Sequence, residues 1–144
     1  MRLQTGKEFG MPRRTSEHPT EAELEILNVL WRKGPSTVRQ VHEVLLGLLG
    51  QRQTTMTTTL KLLQMMTEKK ITTRSDTRPQ LYEAALQEEK TQAGLLQSLV
   101  RKAFSGSVGQ LVMRAVEQGD LSDEEVRQIR KLMDSRRREK RGGK

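Results

Sequence analysis

Between Thr20 and Glu83 the sequence passes through three short helical periodicities and then two β-prone runs, and that order restricts the folds open to it. Thr20-x-x-Glu23 has capping-box spacing, in which the threonine hydroxyl accepts from an early helix N–H while the glutamate reaches back. Leu24, Leu27 and Trp31 follow at i, i+3 and i+7, with Leu30 beside them, which is the stripe of an amphipathic helix. Gly34-Pro35 stops it. Ser36 is placed to cap a second helix, whose apolar Val38, Val41 and Leu45 repeat the spacing, and Gly47 and Gly50 loosen its far end.

The third periodicity, TTMTTTLKLLQMMTEKK at 54–70, begins with five threonines among six residues. Threonine loses χ1 freedom inside a helix but serves well at its start, where the oxygen satisfies an orphan N–H. At 100° per residue Met56, Thr59, Leu60, Leu63, Met66 and Thr67 share the side that packs on the preceding helices. Thr57, Thr58, Lys61, Gln64, Met65 and Glu68 share the other. Ile71–Arg74 and Gln80–Glu83 then read as two short strands around a turn at Ser75–Pro79, with Arg74 and Arg78 near its tip. Three helices followed by a basic hairpin is the order of a winged helix-turn-helix.

Beyond Ala85 the pattern changes. Leu95, Leu96, Leu99, Val100, Ala103 and Phe104 lie on one stripe, Gly106 and Gly109 interrupt it, and Leu111, Val112, Ala115 and Val116 resume it. Gly119 suits the residue just past a helix end. Ser122-x-x-Glu125 is a second capping box, opening a helix with Val126, Ile129, Leu132 and Met133. The expected fold class is therefore mainly α with a small β-hairpin wing, followed by a C-terminal helical dimerisation arm. The expected limits are a flexible basic arm at 1–18, the winged domain at 19–86, the arm at 87–135 and a disordered basic tail at 136–144.

Composition narrows the partners. A formal net charge of +8 suits a polyanion, and the 3% aromatic content leaves little equipment for stacking on single strands. The absence of cysteine excludes disulfides and thiolate metal sites, and His18 and His42 lack ligand-like spacing, so neither a metal nor a cofactor is expected. The longest apolar run, Val44–Leu49, falls far short of the roughly 20 residues that cross a bilayer. The opening MRLQTGKEFG lacks the apolar core of a signal peptide. A cytoplasmic protein without membrane insertion, nucleoid-associated when bound, is expected.

A helix N-terminus attracts phosphate, and hydroxyls there can meet phosphate oxygens or base edges. Thr57, Thr58, Lys61 and Gln64 are accordingly the candidates for base reading in double-stranded DNA. Thr37, Arg39, Gln40, Arg74 and Arg78 are the candidates for phosphate or minor-groove contact, with Arg13 and Arg14 beside them. A single module covers only about 600–1,000 Å² of DNA-facing surface. The apolar stripes of the arm would be buried against a two-fold partner through Leu95, Leu96, Leu99, Val100, Phe104, Leu111, Val112, Val116, Ile129 and Leu132, the alternative being that they pack back on the winged domain. Two copies present two reading helices to a palindrome. An enzyme is not expected: the acidic Asp120, Asp123, Glu124 and Glu125 are explained by capping, and no nucleophile–base set or phosphate-binding glycine loop is present.

The segments TEAELEILNVLW, TTTLKLLQMMTEKK with its hairpin ITTR…LYEA, and AFSGSVGQLV make the chain resemble the penicillinase-repressor (BlaI/MecI/CopY) family, over about Thr20 to Met133. The resemblance implies a homodimeric transcriptional repressor on a promoter palindrome, and it adds a membrane sensor protease as a partner. The family's Tyr-Thr-Thr at the start of the recognition helix is Met56-Thr57-Thr58 here, and its cleaved Asn-Phe bond is Arg114-Ala115. The copper-responsive branch uses C-terminal cysteines, which this chain lacks. Two other readings predict different behaviour. A non-specific architectural or RNA-binding basic protein would not prefer one duplex, and a winged-helix protein–protein adaptor would survive loss of Lys61 and Arg78.

Overall fold

Glu21–Lys33 forms α1 because Thr20 and Glu23 close the capping box, Thr20 Oγ1 accepting the Glu23 N–H at 3.2 Å and Glu23 Oε1 the Thr20 N–H at 2.9 Å. The structure is a computed structural model that describes residues 18–49 and 54–142. Residues 1–17, with Arg13, Arg14 and most of the expected N-terminal arm, lie outside the described residues, as does Gly50. The chain divides into two compact units, Met1–Leu95 and Leu96–Lys144, described separately below.

In the first unit α1 is followed by α2 (Val38–Leu49), α3 (Met56–Glu68), β1 (Thr72–Arg74) and β2 (Tyr82–Ala84). Its core joins Ile26, Leu27, Val29 and Leu30 of α1, Val41 and Leu45 of α2, Leu63 and Met66 of α3, and Tyr82 of β2. Ile26 and Val29 extend the buried arc of α1 beyond the stripe that the sequence suggested. The cause is position: α1 meets α2 along one side and β2 along another. Trp31 is only partly buried, and its indole N–H donates to the Leu86 carbonyl at 2.9 Å.

The cap of α2 is a correction. Ser36 does not cap it; Thr37 does, its Oγ1 accepting the Gln40 N–H at 3.1 Å while Gln40 Oε1 accepts the Thr37 N–H at 2.9 Å. Ser36 is instead extended and buried, and it pairs with Tyr82 on both sides of an isolated antiparallel bridge. The Ser36 N–H donates to the Tyr82 carbonyl at 3.0 Å, and the Tyr82 N–H returns to the Ser36 carbonyl at 2.7 Å. A residue whose backbone serves a bridge leaves the cap to its neighbour.

β1 and β2 pair antiparallel with Thr72 opposite Ala84, Thr73 opposite Glu83 and Arg74 opposite Tyr82. Thr72 and Tyr82 face the core while Thr73 and Glu83 face out, the period-2 alternation of a strand. Thr67 Oγ1 donates to the Leu63 carbonyl at 2.8 Å and lies 2.9 Å from Thr72 Oγ1, which ties the end of α3 to the hairpin.

α4 (Glu88–Ala103) runs from the first unit into the second, which also holds α5 (Val108–Gln118) and α6 (Asp123–Gly142). The division between the two units falls within α4. α4 ends with Ser105 at φ 51° and Gly106 at φ 83°, the Gly106 N–H returning to the Val100 carbonyl at 3.0 Å. That bond spans six positions, one more than the six-to-one bond of a Schellman motif. Ser107 then caps α5, accepting the Gln110 N–H at 3.1 Å. Gly119 does end α5, but at φ −94° its backbone is extended rather than left-handed. What favours glycine there is contact: a Cβ would sit 2.9 Å from the Ala115 carbonyl oxygen.

α6 opens with the expected box between Ser122 and Glu125, both bonds at 3.0 Å. It continues as helix through Gly142, so the segment expected as a disordered tail from 136 is helical as far as that residue. Arginine, lysine and glutamate are good helix formers, and cations near a C-terminus complement the helix dipole.

Candidate nucleic-acid interface

α3 sorts its side chains between two environments. Thr59, Leu63 and Met66 are buried, and Met56, Leu60 and Thr67 are half-buried. Thr57, Thr58, Lys61, Gln64, Met65 and Glu68 are all exposed. Every residue that helical spacing assigned outward is outward, including the four base-reading candidates.

The threonines at the start of α3 divide the work. Thr55 is the N-cap, its Oγ1 accepting the Thr58 N–H at 3.1 Å and lying 3.0 Å from the Thr58 hydroxyl. Thr57 and Thr58 stand exposed in the first turn, beside N–H groups whose partial positive charge favours an anion. Thr59 turns inward and shares a 3.0 Å hydrogen bond with His42 Nδ1 of α2, both residues being buried. Sequence spacing placed Thr59 inward but gave no sign of its partner, because His42 and Thr59 lie on different helices. Lys61 and Gln64 continue the exposed row one and two turns on.

At the start of α2, Thr37 is half-buried, and Arg39 and Gln40 are exposed. Thr37 and Gln40 are engaged with one another in the capping box, so the Oε1 of Gln40 is already in use. Arg39 points to solvent. On the hairpin, Arg74 and Arg78 are exposed. The connection carrying Arg78 is held by hydroxyls: Ser75 Oγ accepts the Leu81 N–H at 2.8 Å, the Ser75 N–H donates to the Leu81 carbonyl at 2.8 Å, and Thr77 Oγ1 donates to the Pro79 carbonyl at 3.0 Å. The first unit thus holds the exposed row of α3, the start of α2 and the hairpin arginines together.

One ion pair braces α3 from its far end. Lys69 Nζ, at the C-cap of α3, lies 2.7 Å from Glu23 Oε2, whose side chain is almost wholly buried. Burial alone would push the Glu23 carboxyl up, but the Lys69 ammonium and the Thr20 N–H together hold it below the usual carboxylate range. Among the described residues no cluster of three or more acidic or histidine side chains could hold a metal ion, and no helix is long and apolar enough to cross a membrane.

The family whose model matches the chain is that of the penicillinase repressors, over residues 19–135. The chain belongs to the penicillinase repressor family. This is a family of DNA-binding transcriptional repressors, and its winged-helix architecture with further C-terminal helices is the one described above. No curated protein matches the chain. In α4, α5 and α6 the dimerisation candidates differ in exposure. Leu96, Leu99, Val112, Val116 and Leu132 are exposed apolar residues, with Leu132 at 65%. Leu95, Phe104, Leu111 and Ile129 are half-buried, and Val100 is buried within the chain itself.

Proposed function

We propose that the chain is a homodimeric, sequence-specific repressor that binds palindromic operators in double-stranded DNA. The observation that carries this reading is the outward row Thr57, Thr58, Lys61 and Gln64 above the buried Thr59, Leu63 and Met66. A helix so divided is anchored on one side and free to enter a major groove on the other. Lys61 and Gln64 offer donors to base edges, and the hydroxyls of Thr57 and Thr58 serve either bases or phosphates. Thr37, Arg39, Gln40, Arg74 and Arg78 hold the backbone and set the register. The residues from 19 to 86 form the DNA-binding part in this reading, and those from 87 to 135 the dimerisation part.

The partner for the arm is a second copy. Leu96, Leu99, Val112, Val116 and Leu132 expose more apolar surface than a small basic protein keeps without use, and a two-fold interface built on these helices would bury it. A membrane sensor protease is the further partner that the family suggests. Arg114 and Ala115, at the family's cleavage position, lie in mid-α5, so a protease would need that helix to open before it could take the bond in extended form. The experiment is an in vitro selection of duplexes by the full chain, then gel-shift titration against random duplex. A selected palindrome bound at least about a thousandfold more tightly supports the reading; equal binding to both rejects it.

A further inference from the structure

α6 does not end where the family match ends. The match stops at residue 135, whereas the helix continues through Gly142. Those last two turns carry Arg136, Arg137, Arg138, Lys140 and Arg141 against the single carboxylate of Glu139, and all six side chains are exposed.

The faces of α6 change character at the same place. At 100° per residue Val126, Ile129, Leu132 and Met133 form one apolar side. Arg136 and Lys140 occupy the continuation of that same side. The helix is therefore amphipathic as far as Met133 and basic all round beyond it, and a helix end polar on every side has no apolar face to bury.

Nor is the charge balanced locally. Two earlier cations of the arm are paired within their own helices, Arg114 with Glu117 at 3.2 Å and Arg127 with Glu124 at 2.6 Å. Among the described residues no ion pair neutralises Arg136, Arg137, Arg138, Lys140 or Arg141. Arg136 with Lys140, and Arg137 with Arg141, are like-charged i,i+4 neighbours that repel. The helix dipole offsets this only within the last turn, which leaves Arg136 and Arg137 outside its reach.

We propose that the 136–142 end of α6 is a second DNA-contact surface, which grips duplex phosphates without reading sequence. Four of its five cations are arginines, whose planar fork matches phosphate oxygens in pairs. Duplex DNA is favoured over other polyanions because the family binds DNA and because the chain has few aromatics for a single strand. The proposal rests on the DNA-binding reading above and adds an attachment point outside the winged unit. It divides the labour: α3 chooses the site, and the end of α6 adds salt-sensitive affinity to any duplex.

The test compares the full chain with a variant carrying Arg136→Gln, Arg137→Gln, Arg138→Gln, Lys140→Gln and Arg141→Gln. Glutamine keeps helix propensity, and circular dichroism with sedimentation checks fold and assembly. A second variant, Arg136→Lys, Arg137→Lys, Arg138→Lys and Arg141→Lys, retains the charge. Binding to the selected operator and to a random duplex of equal length is measured between 50 and 300 mM salt, values of roughly the range where counterion release is read. The glutamine variant should lose affinity for both duplexes by the same factor, about tenfold or more at low salt. Its log–log salt slope should be shallower by roughly 0.9 for each phosphate that is no longer neutralised. The lysine variant should keep the slope of the unaltered chain. An unchanged slope in the glutamine variant overturns the proposal, as does a loss confined to single-stranded RNA or to anionic lipid vesicles. Absence of operator preference in the unaltered chain would instead overturn the repressor reading, and the slope difference would still decide the α6 role.

Discussion

His42 of α2 and Thr59 of α3 share a buried hydrogen bond of 3.0 Å, in the same helical turn as the exposed Thr57 and Thr58. The bond fixes how α3 is rolled against α2, and so which of its side chains face outward. Thr59→Val keeps the shape but removes the hydroxyl, leaving a buried imidazole nitrogen without its partner. The expected cost is about 1–3 kcal/mol in urea unfolding. Thr59→Ser keeps the oxygen and should recover most of it.

Selectivity should separate from stability on the other side of the same helix. Thr57→Val with Lys61→Ala removes a hydroxyl and an ammonium that touch nothing in the core. Unfolding free energy should move by no more than about 0.5 kcal/mol. Preference for the selected operator over random duplex should nevertheless disappear, as gel-shift titration would reveal; a preserved ratio would remove these residues from the reading row.

Assembly should depend on the exposed stripe of the arm. Leu99→Asp places a charge at a residue that is 49% exposed, so the single chain has little reason to unfold. In a two-fold interface the same carboxylate would be buried without a partner, and dissociation follows. Sedimentation velocity should find a monomer whose operator affinity is much reduced. A dimer that persists would move the interface elsewhere.

Acid should weaken the first unit through Glu23. Its carboxyl is held below the usual range when folded, so the native state binds its proton less readily than the unfolded chain does. The stabilisation is complete above the unfolded carboxylate pKa of roughly 4.3 and is lost as the pH falls through the lower folded value. Glu23→Gln keeps the capping box but loses the pairing with Lys69, at a cost of roughly 1 kcal/mol at neutral pH. Chemical unfolding of both proteins at pH 7 and pH 3 should show the difference narrowing in acid.

The core predicts a larger effect. Leu63 is fully buried between α3 and the helices beneath it, so Leu63→Ala should cost about 2–5 kcal/mol in the same assay. A cost below about 1 kcal/mol would mean that α3 is not anchored as described.

Local sequence was a good guide wherever the deciding interaction spans three or four residues. The boxes at Thr20 and Ser122, the two sides of α3 and the turn between Arg74 and Tyr82 are all readable because donor, acceptor and side-chain direction follow from helical or strand spacing. Local spacing does not show where a residue answers to something distant. Ser36 looked like a cap because it follows Gly34-Pro35, yet Tyr82 claims its backbone from across the fold. Gly119 looked left-handed by position, yet its constraint is the approach of the Ala115 carbonyl. The segment from 136 has the charge of a disordered tail, yet its arginine, lysine and glutamate are good helix formers and α6 runs on through Gly142.

By itself, then, the sequence determined which stretches become helices or strands and which side of each is apolar, since these follow from residue spacing and propensity. Tertiary structure alone decided that Ile26 and Val29 are buried, that His42 partners Thr59, that Lys69 reaches Glu23 and that Ser36 joins the hairpin. Those pairings connect residues 17 to 46 positions apart in the chain. Such pairings depend on how the elements close on one another, and no local periodicity records that.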